Sequence, residues 1–361
     1  MINLMAPINQ LGYGVAGLNI LKALQKKTEV ALHVIGQPQV TNEKDVTAVK
    51  EGLRIAKYFD HKAPCVKIWH QNDMAEFVGK GEHVGFPIFE LDKFNEVELH
   101  HLNSCERLFV CSQWAKEVVM NQCPPMSYKG VPIEEFADES RVNIVPLGVD
   151  TEIFKPATPV SKDKIIFFNC GKWEIRKGHD ILIEAFKQVV KEYDNVELWM
   201  MCSNPFNSKE EDVRWAQLYN HPKVKLIPRA ETQTQVYNIM TQVDCGVFPS
   251  RAEGWNLELL EMMSIGKHVI TTNYSAHTEF CTKENATLID IYDTEPAFDG
   301  KWFFGQGNWA KITPCEINIL TQSMKDFVKN YDWKANQAGI ETAKKFSWEN
   351  TAETILKSLE V

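Results

Sequence analysis

No stretch of the 361-residue sequence approaches the ~20 consecutive apolar residues that a membrane span requires. Its densest apolar runs, such as Lys164 to Cys170 and Val196 to Cys202, are only strand length, so no integral membrane association is expected. No Cys-x-x-Cys pair occurs either: nine cysteines, an odd number, are scattered beside neighbours such as Val110 and Met201. That pattern predicts reduced, mostly buried thiols rather than a disulfide or zinc framework. An excess of positive charge is also missing, since 39 Lys and Arg against 48 Asp and Glu give a net charge of −9. A whole-surface nucleic-acid binder is thereby disfavoured, and only a local basic cleft is left open. Met1 to Pro7 carry neither a basic leader nor a long apolar segment before a small-residue cleavage site, so a cytoplasmic protein is expected. Repeats of fixed period and low-complexity tracts are absent. With 44% hydrophobic and 24% charged residues the chain has the composition of a folded globular protein, and its length exceeds one ordinary core.

What is present is alternation. In the first half, apolar runs at Ala31 to Ile35, Cys65 to Trp69, Val84 to Ile88, Leu108 to Cys111 and Asn143 to Leu147 are separated by segments of helical character. These read as strands of a mostly parallel sheet. After the turn-prone stretch Lys155 to Lys164 the pattern restarts with Lys164 to Cys170, Val196 to Cys202, Val224 to Ile227, Cys245 to Phe248, His268 to Thr272 and Ala286 to Ile291. Two successive βα arrays joined near residue 158 predict an α/β protein of two Rossmann-like, doubly wound domains, residues 1–157 and 158–345, facing a central cleft. Phe346 to Val361 reads as a helix capped at Ser347, with Ala352, Ile355, Leu356 and Leu359 as its apolar stripe. Ligands of such sheets bind at the carboxyl ends of strands, so the strand-to-helix turns carry most weight.

Three turns stand out. Gly12-Tyr13-Gly14-Val15-Ala16-Gly17 precedes the helical pattern Leu18 to Leu24, where glycines let backbone amides approach an anion. A tight turn without a ligand explains the same residues, and no acidic residue follows the next strand as a dinucleotide site would require. In the second turn, Lys172 and Lys177 lie five apart between a strand and the helix Ile181 to Val190, with Arg176 between them. Two cations there can hold a diphosphate whose leaving oxygen gains charge; a solvated basic turn is the alternative. The third, Phe248-Pro249-Ser250-Arg251-Ala252-Glu253-Gly254-Trp255-Asn256-Leu257, leads into a helix from about Asn256 that carries Glu261 and ends at Gly266. Glu253 is placed to meet a ligand at the helix N-terminus and Glu261 to reach a group lying along its first turns, and the amides of Gly254 to Leu257 suit a sugar or phosphate oxygen; a chance pair of solvent-facing carboxylates is the alternative.

The combination resembles the retaining glycosyltransferases of the GT-B fold (glycosyl transferases group 1), whose signature is Glu-x7-Glu after a Pro-Ser-x-x-Glu-Gly turn, the spacing of Glu253 and Glu261. Val145 to Pro156 resembles the family's interdomain segment, Gly171-Lys172 through Lys177-Gly178 its diphosphate loop, and Phe346-Ser347-Trp348 the start of a terminal helix that crosses back to the first domain. Val269-Ile270 with Glu279 resembles the strand and helix after the carboxylate motif, while Gly12, Gly14, His70 and Gly85 to Asp92 match more loosely. The family commonly has Arg at Lys172, Gly at Asn256 and Pro at His268.

The resemblance implies transfer of a sugar from a nucleotide-diphosphate donor, UDP- or GDP-hexose, with retained configuration and no metal or other cofactor. Lys172 and Lys177 would neutralise the diphosphate, near the amides of Gly12 and Gly14. Glu253, with the amides of Gly254, Trp255, Asn256 and Leu257, would orient the donor sugar. Glu261 would take the ribose hydroxyls, and His70 would lie near the reacting sugar or serve as a structural strand-end histidine. The acceptor, whether saccharide, lipid, protein or modified nucleobase, is not specified by these motifs. The alternative is a catalytically silent module of the same fold that binds a nucleotide or glycan.

Overall fold

The apolar runs become parallel strands whose two faces are covered by crossover helices, which is why they read as continuous rather than alternating. The computed structural model describes residues 1–40, 42–122, 127–128, 131–132 and 141–360. It divides the chain into two units, Met1–Gly148 with Phe346–Val361, and Val149–Lys345.

Unit 1 contains β1 (Ile2–Ala6), β2 (Val30–Val34), β3 (Cys65–Trp69), β4 (His83–Pro87), β5 (Arg107–Val110), a short hairpin of β6 (Ser127–Tyr128) and β7 (Val131–Pro132), and β8 (Val142–Ile144). The helices α1 (Gly12–Gln25), α2 (Glu43–Ala56), α3 (Glu96–Asn103) and α4 (Gln113–Gln122) lie between them. The six-stranded sheet runs β2-β1-β3-β4-β5-β8 with every pair parallel. Strand β1 is absent from the sequence reading although Leu4 pairs with both Leu32 and Val66. A single short run at the chain's start offers no alternation to detect. Helix α1 also begins at Gly12, not after Gly17, so the glycine motif lies inside its first turns.

Unit 2 contains β9 (Ile165–Gly171), β10 (Val196–Cys202), β11 (Val224–Leu226), β12 (Cys245–Phe248), β13 (His268–Asn273), β14 (Thr287–Asp290) and the antiparallel hairpin β15 (Thr294–Phe298) and β16 (Phe304–Ala310). Its helices are α5 (His179–Val189), α6 (Lys209–Leu218), α7 (Gln233–Thr241), α8 (Leu257–Ile265), α9 (Pro314–Asn330) and α10 (Gln337–Lys345). The sheet order is β11-β10-β9-β12-β13-β14, again all parallel. Its core gathers Phe167, Leu198 and Val247 from the strands with Leu182 and Phe186 of α5.

The last helix, α11 (Trp348–Ser358), belongs to unit 1. Ser347 caps it by accepting from Asn350 N, as the sequence predicts. Lys27 pairs with Glu353 at 2.8 Å and so ties α11 to α1, and Thr351 Oγ1 donates to Pro146 O at 2.7 Å. A side chain at Gly148 would put its Cβ 2.3 Å from Trp348 N, so only glycine admits this contact. Among the described cysteines all but Cys315 are buried and none is bridged. Burial pushes the Cys65 thiol up to about 11 and the Cys105 thiol up to about 12, which leaves both inert. Among the described residues no helix is long and apolar enough to cross a membrane.

Candidate active site

In unit 2 the chain leaves β9 toward one edge of the sheet and later enters β12 on the other side, so the strand order reverses between these neighbours. The loops leaving them carry the lysine turn and the Glu253 turn respectively, at the place where doubly wound sheets bind ligands. The two loops are joined by backbone: Arg251 N donates to Arg176 O at 2.7 Å. Gly178, the N-cap of α5, has φ 69°, and a Cβ there would lie 2.0 Å from Pro249 O.

Between the loops runs a chain of alternating charges. Lys177 Nζ donates to Glu253 Oε1 at 2.9 Å, and Arg176 Nη1 donates to Glu253 Oε2 at 2.7 Å and to Ala252 O at 2.8 Å. Arg176 Nη2 meets Glu174 Oε2 at 2.8 Å, and Glu174 Oε1 takes Lys172 Nζ at 2.6 Å. Ser250 Oγ adds a third donor to the Glu253 carboxylate at 2.9 Å. All five charged groups except Lys172 are buried; the Lys172 side chain is 37% exposed. Burial by itself would raise the Glu253 carboxyl, but Lys177 first, then Arg176 and His277, more than offset it and hold it well below the usual carboxylate range. Lys177 is likewise opposed by burial and carried above its ordinary value by Glu253 and Glu258.

Asn256 ends the Glu253 loop with φ 82° and ψ 77°, and its Oδ1 caps α8 by accepting from Leu259 N at 3.2 Å. The first amides of a helix have no intrahelical partner, so those of Leu257 and Glu258 open on the Asn256 side. The Trp255 ring is buried against Phe280, with centroids 4.9 Å apart. Trp173 is also consumed by the core, stacked on Trp215 at 5.2 Å. Glu261 faces inward from α8; burial, then Glu258 and Asp150, push its carboxyl well above the usual range.

The structure therefore joins Glu253 directly to Lys177 and places Lys172 three ion pairs away, beyond Arg176 and Glu174. Gly254 to Leu257 and Glu261 lie on the turn and helix that follow. Gly12, Gly14 and His70 lie in unit 1, where the strand order reverses between β1 and β3. There the Tyr13 ring packs on His70 at 4.6 Å, Trp69 on His70 at 4.9 Å, and Tyr13 OH donates to Ile88 O. His70 is exposed. The two glycines differ: a Cβ at Gly14 would lie 2.3 Å from Asn9 Oδ1, while one at Gly12 meets nothing within 4 Å.

Sequence reading missed Glu174 and placed Arg176 only as a nearby positive group. The alternation Lys172, Glu174, Arg176 was the available signal. His277 and Ser275, which hold the Glu253 turn from behind, gave no local signal.

The lysine and carboxylate turns thus meet at the switch point of the doubly wound sheet, where such sheets bind ligands. Residues 163–299 match the family model described as glycosyl transferases group 1. A D-inositol 3-phosphate glycosyltransferase of Segniliparus rotundus is 22% identical over 62% of this chain and 47% of its own length. A GDP-mannose-dependent phosphatidylinositol monomannoside mannosyltransferase of Corynebacterium glutamicum is 26% identical over 42% of this chain and 43% of its own. The chain thus spans about half the length of the curated relatives it matches. The solved structure of Anabaena HepE with UDP-glucose superposes at a TM-score of 0.67, with 15% identity and 99% of both chains covered, which establishes the GT-B fold.

Proposed function

We propose that the chain is a retaining glycosyltransferase that moves a hexosyl group from UDP- or GDP-hexose to a hydroxyl-bearing acceptor. The observation that carries this reading is the buried Glu253 carboxylate, held by Lys177 and Arg176 just before the open N-terminus of α8. The HepE structure contains UDP-glucose, and the Corynebacterium relative is named for GDP-mannose, so both donor bases stay in play.

In this reading the bond between the anomeric carbon and the diphosphate oxygen breaks as the acceptor oxygen bonds the same face, and the acceptor proton passes to the leaving diphosphate. Negative charge grows on that diphosphate, and groups already aimed there lower the barrier most. Lys172, exposed at the end of the charge chain, receives it first. Lys177 and the amides of Leu257 and Glu258 complete the cradle. Glu253 stays ionised because of its two cations and orients donor hydroxyls, aided by the Gly254 to Asn256 backbone. Glu261, inclined by its surroundings to keep its proton, pairs with ribose hydroxyls. Since ammonium groups compensate the diphosphate, turnover is expected to be insensitive to magnesium.

A thermal-shift screen with UDP, GDP, ADP and TDP sugars, with and without magnesium, identifies the donor. Release of the nucleoside diphosphate by the wild-type chain and not by Glu253→Gln supports the reading. Equal release by both variants refutes it.

A further inference from the structure

The 3-10 turn Ser275–Glu279, which follows β13, grips the Glu253 loop from behind. Glu253 N donates to Ser275 Oγ at 2.9 Å, and Ala276 N donates to Glu253 O at 3.3 Å. His277 extends the grip to the start of α8. Its Nδ1 lies 3.0 Å from Thr272 O and 2.9 Å from Thr271 Oγ1. A carbonyl only accepts, and Thr271 Oγ1 spends its own proton on Phe248 O at 3.0 Å, so Nδ1 must carry the imidazole proton. Nε2 is then the bare nitrogen and accepts from Asn256 Nδ2 at 2.9 Å. That bond fixes the Asn256 amide with Oδ1 turned to Leu259 N, 3.2 Å away.

The arrangement answers a specific difficulty. Asn256 occupies left-handed backbone space, φ 82°, which side-chain-bearing residues avoid. Both Asn256 and His277 are buried, at 5% and 1% exposure, so neither can exchange its partner for water. We propose that His277 is a positioning residue for the donor site: through Nε2 it locks the Asn256 side chain, and with it the left-handed turn that aims the first amides of α8. The inference rests on the donor-site reading above. With Thr271, Thr272 and Asn256 occupying both ring nitrogens, His277 acts through Asn256 and not on the sugar.

A histidine that merely fills the core would matter equally whatever residue stood at position 256. Glycine adopts positive φ freely and has no side chain to hold, so the pair can be tested as a cycle. Wild type, His277→Phe, Asn256→Gly and the double variant are titrated with UDP and GDP by calorimetry. In parallel, exchange of the Leu259 amide is followed without ligand. His277→Phe keeps a ring of similar volume and is expected to weaken nucleotide binding about five- to tenfold and to speed Leu259 exchange. His277→Gln, whose amide oxygen accepts from Asn256, is expected to restore affinity to within about twofold. In the Asn256→Gly background, adding His277→Phe is expected to change affinity by less than about twofold. An equal loss of affinity in both backgrounds overturns the proposal. A wild-type chain that binds neither nucleotide refutes the donor-site reading instead, and the ligand-free exchange cycle then decides the coupling. Acceleration at Leu259 confined to the Asn256 background sustains it, and equal acceleration overturns it.

Discussion

The two units place their candidate residues at the same point of the fold and furnish it in opposite ways. Each sheet is parallel and reverses its order once, between β1 and β3 in unit 1 and between β9 and β12 in unit 2. In unit 1 the reversal carries rings, Tyr13, Trp69 and an exposed His70, on a helix start held close by Gly14. In unit 2 it carries a chain of five charges, four of them buried. Strand order fixes where a ligand-facing loop emerges, while the residues on that loop fix what it costs to keep it there. A stacked, solvent-facing end tolerates change. A buried ionic chain does not, because removing one member strands its neighbours without water.

The strongest break of that contrast is Glu253→Ala. It leaves Lys177 and Arg176 buried without their shared carboxylate and is expected to cost about 3–5 kcal/mol of stability as well as all transfer. Denaturant unfolding and product assay together check this, and an unchanged unfolding midpoint would show that the ion pairs carry no weight. Acid sharpens the comparison next. Burial is the largest cause lowering two fully buried unit 2 histidines, His277 to about 4 and His179 to about 3, from an ordinary value of 6.5, and it lowers His268 in the same direction. Between those limits the unfolded chain binds more protons than the native one, so stability rises with pH. The histidine contribution is whole above pH 6.5 and is lost as pH falls through about 4 and then about 3. Glu253 adds to the loss only once pH drops below the ordinary carboxylate value of 4.5. His33 in unit 1 is shifted the same way by burial. Hydrogen exchange across this range should therefore show unit 2 opening before unit 1, and simultaneous opening would contradict the assignment.

A third test uses the glycines of unit 1. Gly14→Ala drives a methyl into Asn9 and is expected to cost about 1–3 kcal/mol, whereas Gly12→Ala faces open space and should leave the melting temperature level or slightly higher. Calorimetry of the two variants separates a steric role from a ligand role. Lys172→Ala removes the exposed end of the charge chain; it should alter stability by less than about 1 kcal/mol while weakening UDP or GDP binding about tenfold. The smallest effect on the fold is expected for His70→Ala, which should slow turnover with no measurable change in the unfolding midpoint.

Much of the site was legible because its signals are local. Glu253 and Glu261 share one turn and helix, Ser347 caps its own helix, and Gly266 ends α8 with φ 86° as a glycine after a helix does. The partner of Arg176 was not legible, since Glu253 lies 77 residues away and only the adjacency of β9 and β12 brings them together. Nor was the start of α1, where apolar periodicity began later than the helix itself. The tryptophans illustrate the same limit: Trp173 and Trp255 stood in candidate turns, yet their rings went to the core.

By itself the sequence determined the alternation of strands and helices and the turns that bear Lys172, Lys177, Glu253 and Glu261, because side-chain period and capping act over a few residues. Only the tertiary structure decided the order of the strands, the burial of four charges in one chain, and the use of His277 to steady Asn256. Those depend on which distant loops the sheet sets side by side, and desolvation acts on a charge only after its neighbours have closed over it.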